Sequence, residues 1–301
     1  MKNYKCTVSV VIPCFNAEKF IAKAIQSVLE QTLKTFEILV IDDGSTDLTV
    51  HTIEKIQDER IKLIRLKRNK GNYYARNIGM EIAVGKYICV LDADDVAHKN
   101  RLEKQVEYLE NFPDIGLVAS NFIVIDESGV KISQRELPET HSRLKVTLLR
   151  NNFILHSSLM FRSEIIINKQ YFYNETLPYA ADYDFLVRIS DSFKIACMQE
   201  YLSIYRYHDN QISKTKFALQ RDIANDVRKN QFQRYGIHEE NDISTLNKFM
   251  LNEPLYDWEI ELVLDLLNQI LEVNKEFTFF DQDYFIKYYQ KCFDNTKLIQ
   301  I

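Results

Sequence analysis

Four short runs rich in branched apolar residues, at 8–12, 37–41, 61–66 and 87–91, each closing in a polar turn, constrain this chain more than anything else in its sequence. Runs that are apolar at nearly every position read as strands buried on both faces, the mark of a parallel sheet. Between the first two, Phe20, Ile21, Ala24, Ile25, Val28 and Leu29 recur at helical spacing, with Asn16 placed to cap the first turn. Further helices are expected at 47–56, 72–84 and 99–111, so the first part reads βαβαβαβ. After Gly116 the rhythm changes to a hairpin, 117–126 and 130–133 around Glu127-Ser128-Gly129, which makes the sheet mixed. A helix at 182–190 and an extended segment at 195–208 follow, and from Lys214 onward helical segments such as 217–233 and 258–273 dominate. The fold expected is α/β, a mixed, mainly parallel sheet flanked by helices over 1–213, with a helical C-terminal extension over 214–301.

Composition narrows the function classes. Of 301 residues, 46% are hydrophobic and 27% charged, ordinary for a globular protein. Lys+Arg 38 against Asp+Glu 43 leaves a net charge of −5, which argues against nucleic acid as a partner. Cys6, Cys14, Cys89, Cys197 and Cys292 lie far apart without CxxC spacing, so neither a disulfide framework nor a zinc site is expected and a reducing compartment is. The first residues run directly into a strand without a signal-peptide pattern, and no stretch is apolar for long enough to span a bilayer. The expected location is the cytoplasm. The basic run 62–70 reads as a solvated face, with peripheral contact at the inner face of the plasma membrane as the alternative. The aromatic-rich tail reads as core or as a homodimer contact.

In open parallel sheets ligands gather beyond the carboxyl ends of the strands. Three such ends are polar here: Pro13-Cys14-Phe15-Asn16, Asp42-Asp43-Gly44-Ser45-Thr46-Asp47, and Asp92-Ala93-Asp94-Asp95. None is a Gly-x-Gly-x-x-Gly turn, which weakens a dehydrogenase reading. Asp92 and Asp94 are two apart and share a face if extended geometry persists. Such a pair is costly unless a hard cation such as Mg²⁺ or Mn²⁺ neutralises it; the plain alternative is a cap for the next helix. Ser45 and Asp47 read as caps of the helix that follows. Asp43, ahead of them, is placed to accept an N–H such as the imide of a uracil ring. Arg76 is either an exposed ion pair or a diphosphate contact.

These segments carry a resemblance. Val8-Ser9-Val10-Val11-Ile12-Pro13-x-Phe15-Asn16-Ala17-Glu18, Ile41 to Asp47, Ala75-Arg76-Asn77-x-Gly79 and Leu91-Asp92-Ala93-Asp94-Asp95 closely resemble the family-2 inverting glycosyltransferases of GT-A fold. The resemblance continues through Ala181-Asp182-Tyr183-Asp184-Phe185 and Tyr205-Arg206-Tyr207-His208, covering roughly residues 7–213. It implies a nucleotide-binding half, 1–119, and an acceptor and catalytic-base half, 120–213. It further implies that Pro13 and Asp43 hold the nucleotide base, Arg76 lies near the nucleotide, and Asp92 and Asp94 form the Asp-x-Asp motif that meets ribose and metal-diphosphate. Asp182 matches the catalytic base, with Asp184 a weaker alternative; on a helix the two point about 200° apart, so only one faces a common site. Ala181 stands where the family usually has Glu. His208 matches a residue that completes the metal shell, and His156 one assigned an acceptor-side role in related lipooligosaccharide transferases. The implied cofactor is Mn²⁺ or Mg²⁺, and the implied partners are a UDP-sugar donor and a glycan or glycolipid acceptor. A sugar nucleotidyltransferase would carry a glycine-rich phosphate loop after its first strand, and Pro13 to Asn16 is not one. A non-catalytic nucleotide-binding module is the other alternative.

Overall fold

Val8, Val10, Val11 and Ile12 are fully or almost fully buried, so the strand that carries them, β1 (Cys6–Cys14), lies inside the sheet with helices over it. The computed structural model describes residues 4–166, 171–209 and 211–296. β1 runs parallel to β2 (Phe36–Asp42) and β4 (Gly85–Val90), and β2 runs parallel to β3 (Ile61–Arg65). The crossovers are helical: α1 (Ile21–Leu29), α2 (Thr49–Glu54) and α3 (Asn72–Ile82). Beyond β4 come β5 (Val96–Ala97), α4 (Arg101–Asn111), β6 (Ile115–Ile125) and β7 (Lys131–Arg135). β6 and β7 pair antiparallel, as the Glu127-Ser128-Gly129 turn predicts.

Two strands escape sequence reading. β8 (Met160–Arg162) pairs antiparallel with both β4 and β6, and β5 pairs antiparallel with β9 (Lys194–Arg206). Three and two residues are too few to display a period, and their state is set by the strands on either side. β9 runs parallel to β6 over nearly its whole length, giving the order β3-β2-β1-β4-β8-β6-β9-β5, with β7 paired to β6 off this path. The sheet is mixed: β3-β2-β1-β4 form one parallel block, β6 and β9 a second parallel pair, and β8 and β5 join antiparallel. α6 (Ala181–Ser192) precedes β9, and the short α7 (Ile212–Thr215) follows it.

The chain divides into two compact units, Met1–Glu139 with Ile154–Thr215, and Thr140–Phe153 with Lys216–Ile301. The second unit is helical: α5 (His141–Arg150), α8 (Phe217–Gln233), α9 (Glu240–Met250), α10 (Asp257–Phe277) and α11 (Gln282–Asp294). Val146 and Leu149 of α5 share one buried cluster with Phe232, Leu246, Phe249, Val263, Ile270 and Phe285. The sequence boundary at 213/214 therefore differs from that of the units by two residues, and 140–153, read as part of the 120–213 half, groups with the tail. Val146 and Leu149 share one face of α5 and Leu144 and Leu148 lie on another, and nothing local says which surface either face meets.

Candidate active site

The parallel strands end in step. Cys14 pairs with Asp42, and Val11 with Val90, so the residues that follow β1, β2 and β4 emerge along one edge. Pro13 is buried beyond the last β1–β4 pair, where Leu91 N–H donates to Val11 O at 3.1 Å, so its missing N–H costs that ladder nothing. Gly44 turns the chain after β2 at φ +75°, and a Cβ there would sit 2.8 Å from the backbone of Arg68, so glycine is required.

The loops after β1 and β2 are stitched together by side chains read in the sequence as caps. Asn16 sits at φ +50°, outside α1; its N–H donates to Ser45 Oγ at 2.9 Å and its Oδ1 accepts from Thr46 N–H at 2.9 Å. Neither Asn16 nor Ser45 caps a helix. Asp47 does stand at the head of α2, accepting from Thr49 N–H at 2.9 Å, while its other oxygen takes Glu18 N–H at 3.2 Å. Asp43 is buried, and its two oxygens accept from the backbone N–H groups of Lys70 and Gly71, each at 2.8 Å, at the start of α3. Burial outweighs these bonds and raises its pKa, with Asp42 adding to the rise. Each oxygen keeps a second lone pair for a ligand N–H.

After β4, Asp92 N–H donates to Ser157 Oγ at 2.9 Å and Asp95 N–H to Asp92 O at 3.2 Å, which closes the acidic turn. Asp95 points inward and is buried, its Oδ1 accepting from Arg206 N–H at 2.9 Å. Asp92 and Asp94 stay at the surface of the site, their side chains 28% and 29% exposed. Asp92 pairs with Arg76, and Asp94 Oδ2 lies 3.0 Å from His208 Nε2. Arg206, whose Nε donates to Asp94 O at 3.0 Å and whose Nη1 donates to Glu127 O at 3.1 Å, holds this turn to the end of β9 and so brings His208 to it. The Asp94 carboxylate is the oxygen donor that Mg²⁺ and Mn²⁺ take, with phosphate and water filling the remaining positions, and the His208 nitrogen beside it is a donor that Mn²⁺ accepts more readily than Mg²⁺. Among the described residues there is no group of three or more His, Cys, Asp or Glu that could close a site by protein ligands alone. The residues therefore fit a cation shared with substrate.

Arg76 is not the exposed ion pair that is usual on a helix. It is 3% exposed, with its guanidinium 5.7 Å from each of the Tyr73 and Tyr173 ring centres. Burial works against its charge, but the Asp92 carboxylate, with Tyr173 and Tyr73 adding to it, outweighs that and lifts its pKa above the ordinary value. Gly79, one turn along α3, makes this depth possible: a Cβ there would meet Val11 Cγ1 at 2.4 Å, so only glycine lets α3 lie this close to β1. Asn77 grips Tyr173 by both backbone groups, Nδ2 donating to Tyr173 O at 3.0 Å and Oδ1 accepting from Tyr173 N–H at 2.9 Å.

Asp182 lies in the first turn of α6, where the helix dipole favours a carboxylate. Tyr73 of α3 donates its hydroxyl to Asp182 Oδ1 at 3.2 Å. Asp182 is thus three contacts from Asp92, through Tyr73 and Arg76. Asp184 is tied instead to Arg188, whose Nε donates to Asp184 Oδ2 at 2.8 Å and whose Nη2 donates to Phe172 O at 2.7 Å. Ala180, just before α6, holds φ +53°, a left-handed conformation rare for alanine and a form of strain that concentrates at functional sites. Ala181 is fully buried.

His156, expected on the acceptor side, is 6% exposed, its Nε2 is bonded to the Tyr173 hydroxyl, and its ring meets Tyr173 and Phe185 edge-on. It supports Tyr173 from beneath. Burial, with the positive charge of Arg76 adding, pushes its pKa well below the ordinary value. The unfolded chain therefore gains a proton near pH ~6.5 that the folded chain refuses, so this contribution is complete above that pH and is lost as pH falls below it. Denaturant melts from about pH 7.5 to about pH 5 should lose up to ~1.4 kcal/mol per pH unit through this group. His156→Gln should flatten that dependence; an unchanged slope would remove His156 as its source.

Tyr73, Tyr173, Ser157 and Arg206 were not among the residues the sequence singled out as carrying chemistry. Tyr73 left a usable signal, since it lies three residues before Arg76 and so shares its face of α3. Tyr173 left none, because its place depends on Asn77.

Residues 9–169 match the family model described as glycosyl transferase family 2. An uncharacterised glycosyltransferase of Haemophilus influenzae is 33% identical over 307 residues, spanning 97% of this chain and 95% of its own length. TuaG of Bacillus subtilis, named for teichuronic acid biosynthesis, is 40% identical over 36% of this chain and 44% of its own. Among solved structures, S. aureus TarS in complex with UDP superposes with a TM-score of 0.61 at 20% identity, over 82% of this chain and 71% of that one. TarS in complex with UDP-GlcNAc gives 0.60 at 16%, over 96% and 92%. At such identities the likeness is one of fold, the mixed α/β GT-A arrangement described above.

Proposed function

The chain belongs to glycosyl transferase family 2 and is a glycosyltransferase, and on that premise we propose that it transfers a hexose or N-acetylhexosamine from a UDP-sugar to a hydroxyl of a glycan or glycolipid, with inversion and with help from a divalent cation. The observation that carries this reading is the pairing of two chemistries along one edge: Asp94 beside His208, and Asp182 joined to Asp92 through Tyr73 and Arg76. The UDP and UDP-GlcNAc bound by TarS support the donor class, and the name of TuaG supports a surface polysaccharide as the setting.

In this proposal Pro13 and the remaining lone pairs of Asp43 receive the base, Asp92 meets the ribose, and Arg76 lies near the diphosphate. Asp94 and His208 would hold Mn²⁺ or Mg²⁺, which when bound offsets the charge that grows on the departing diphosphate. Asp182 takes the proton of the acceptor hydroxyl as it attacks from the opposite face of the sugar. One displacement then inverts the anomeric carbon, with no second carboxylate serving as nucleophile. We place the enzyme in the cytoplasm, with the basic run 62–70 either solvated or meeting the membrane surface and the tail either core or a dimer contact. No helix among the described residues is long and apolar enough to cross a membrane. Phe280, Phe285, Tyr289 and Cys292 of the tail lie in a buried cluster, which supports the core reading.

Release of UDP from UDP-Glc, UDP-Gal, UDP-GlcNAc and UDP-GalNAc, with and without simple β-galactoside acceptors, tests the reading. One donor should give acceptor-dependent release and a product of opposite anomeric configuration. A retained configuration, or formation of UTP and sugar 1-phosphate when pyrophosphate is added in place of UDP release, would reject it.

A further inference from the structure

A carboxylate that removes a proton needs one oxygen aimed along the path of the incoming hydroxyl, and rotation about its last side-chain bond would lose that aim. We infer that Tyr73 is the positioning residue for Asp182: its hydroxyl, 3.2 Å from Oδ1, fixes the carboxylate plane and so sets where the lone pairs of the second oxygen point. This rests on the reading of Asp182 as the base.

The hydroxyl is suited to that task because the ring behind it is held on several sides. Tyr73 stacks on Tyr173, with ring centres 5.8 Å apart and planes 25° apart. Tyr173 is in turn stacked on Phe185 at 4.3 Å, bonded to His156 and clamped by Asn77. The guanidinium of Arg76 lies against both tyrosine rings while pairing with Asp92. Burial, with the charge of Asp182 adding, raises the Tyr73 pKa well above its ordinary value, so the phenol keeps its proton and remains a donor at any working pH. Misplacement of a base by about 1 Å can cost ~10²-fold in rate, so holding the carboxylate in one orientation has a large effect.

Tyr73→Phe keeps the ring, the stack and the cation contact and removes only the hydroxyl. It should lower kcat by about 10- to 100-fold, with donor KM, UDP affinity and melting temperature nearly unchanged. Placed on Asp182→Asn it should add no more than about a further twofold loss, because the oxygen it orients no longer acts as a base. Full kcat in Tyr73→Phe, a loss that appears equally in donor KM, or losses that multiply in the double variant would each overturn the assignment. Normal turnover by Asp182→Asn alone would instead overturn the reading of the base, so the two failures are distinguishable.

Discussion

Asp182→Asn is expected to bind UDP as the unaltered enzyme does and to transfer sugar about 10²–10⁴-fold more slowly, the range associated with loss of a general base. The substitution is nearly isosteric, and the amide oxygen can still accept the Tyr73 hydroxyl. What it removes is the capacity to take a proton. The groups proposed to bind nucleotide stand on other elements, Pro13 at the end of β1, Asp43 after β2, Arg76 on α3 and Asp92 after β4, so their contacts survive. The loss should therefore fall on kcat and leave the UDP dissociation constant within about twofold. Turnover at the original rate would take Asp182 out of the mechanism. Asp184 would not replace it, because Arg188 already holds that carboxylate.

Asp94→Ala is expected to cost roughly 10²–10³-fold in transfer and to abolish any gain from added Mn²⁺, because removing charge stabilisation at a leaving group costs several kcal/mol. The Asp94 side chain is 29% exposed and its backbone oxygen continues to bind Arg206, so the fold should persist and the melting temperature change little. In the unaltered enzyme, chelation should lower activity and Mn²⁺ should restore it. Activity that persists undiminished in chelator would defeat the assignment of Asp94 and His208 to a cation.

The half of the sheet that positions the nucleotide-side residues was legible because parallel, doubly buried strands announce themselves residue by residue. The expected runs 8–12, 37–41, 61–66 and 87–91 fall within a residue of the observed strands or inside them. The rest was illegible for identifiable reasons. β5 and β8 are too short to carry a period, and Asn16, a good capping residue by type, is spent on a crosslink from a left-handed conformation. His156 lies in a segment whose resemblance suggested contact with the acceptor, yet its surroundings are made by Tyr173 and Phe185, which reach it only through tertiary packing. Arg76 was placed on the right helix with its depth left open, since its burial depends on how closely Gly79 lets α3 approach β1. What a single sequence withholds here is which partner a polar side chain finds once the layers close.

The grouping of Thr140–Phe153 with the C-terminal helices has a consequence for biogenesis. As the polypeptide leaves the ribosome, α5 emerges long before Phe232, Leu246, Phe249 and Phe285 exist to cover Val146 and Leu149. Its greasy stripe stays naked until the last third of translation is complete. A gene trimmed after residue 215 would leave that stripe without a home for good, so what looks like a detachable tail is the other half of a clasp.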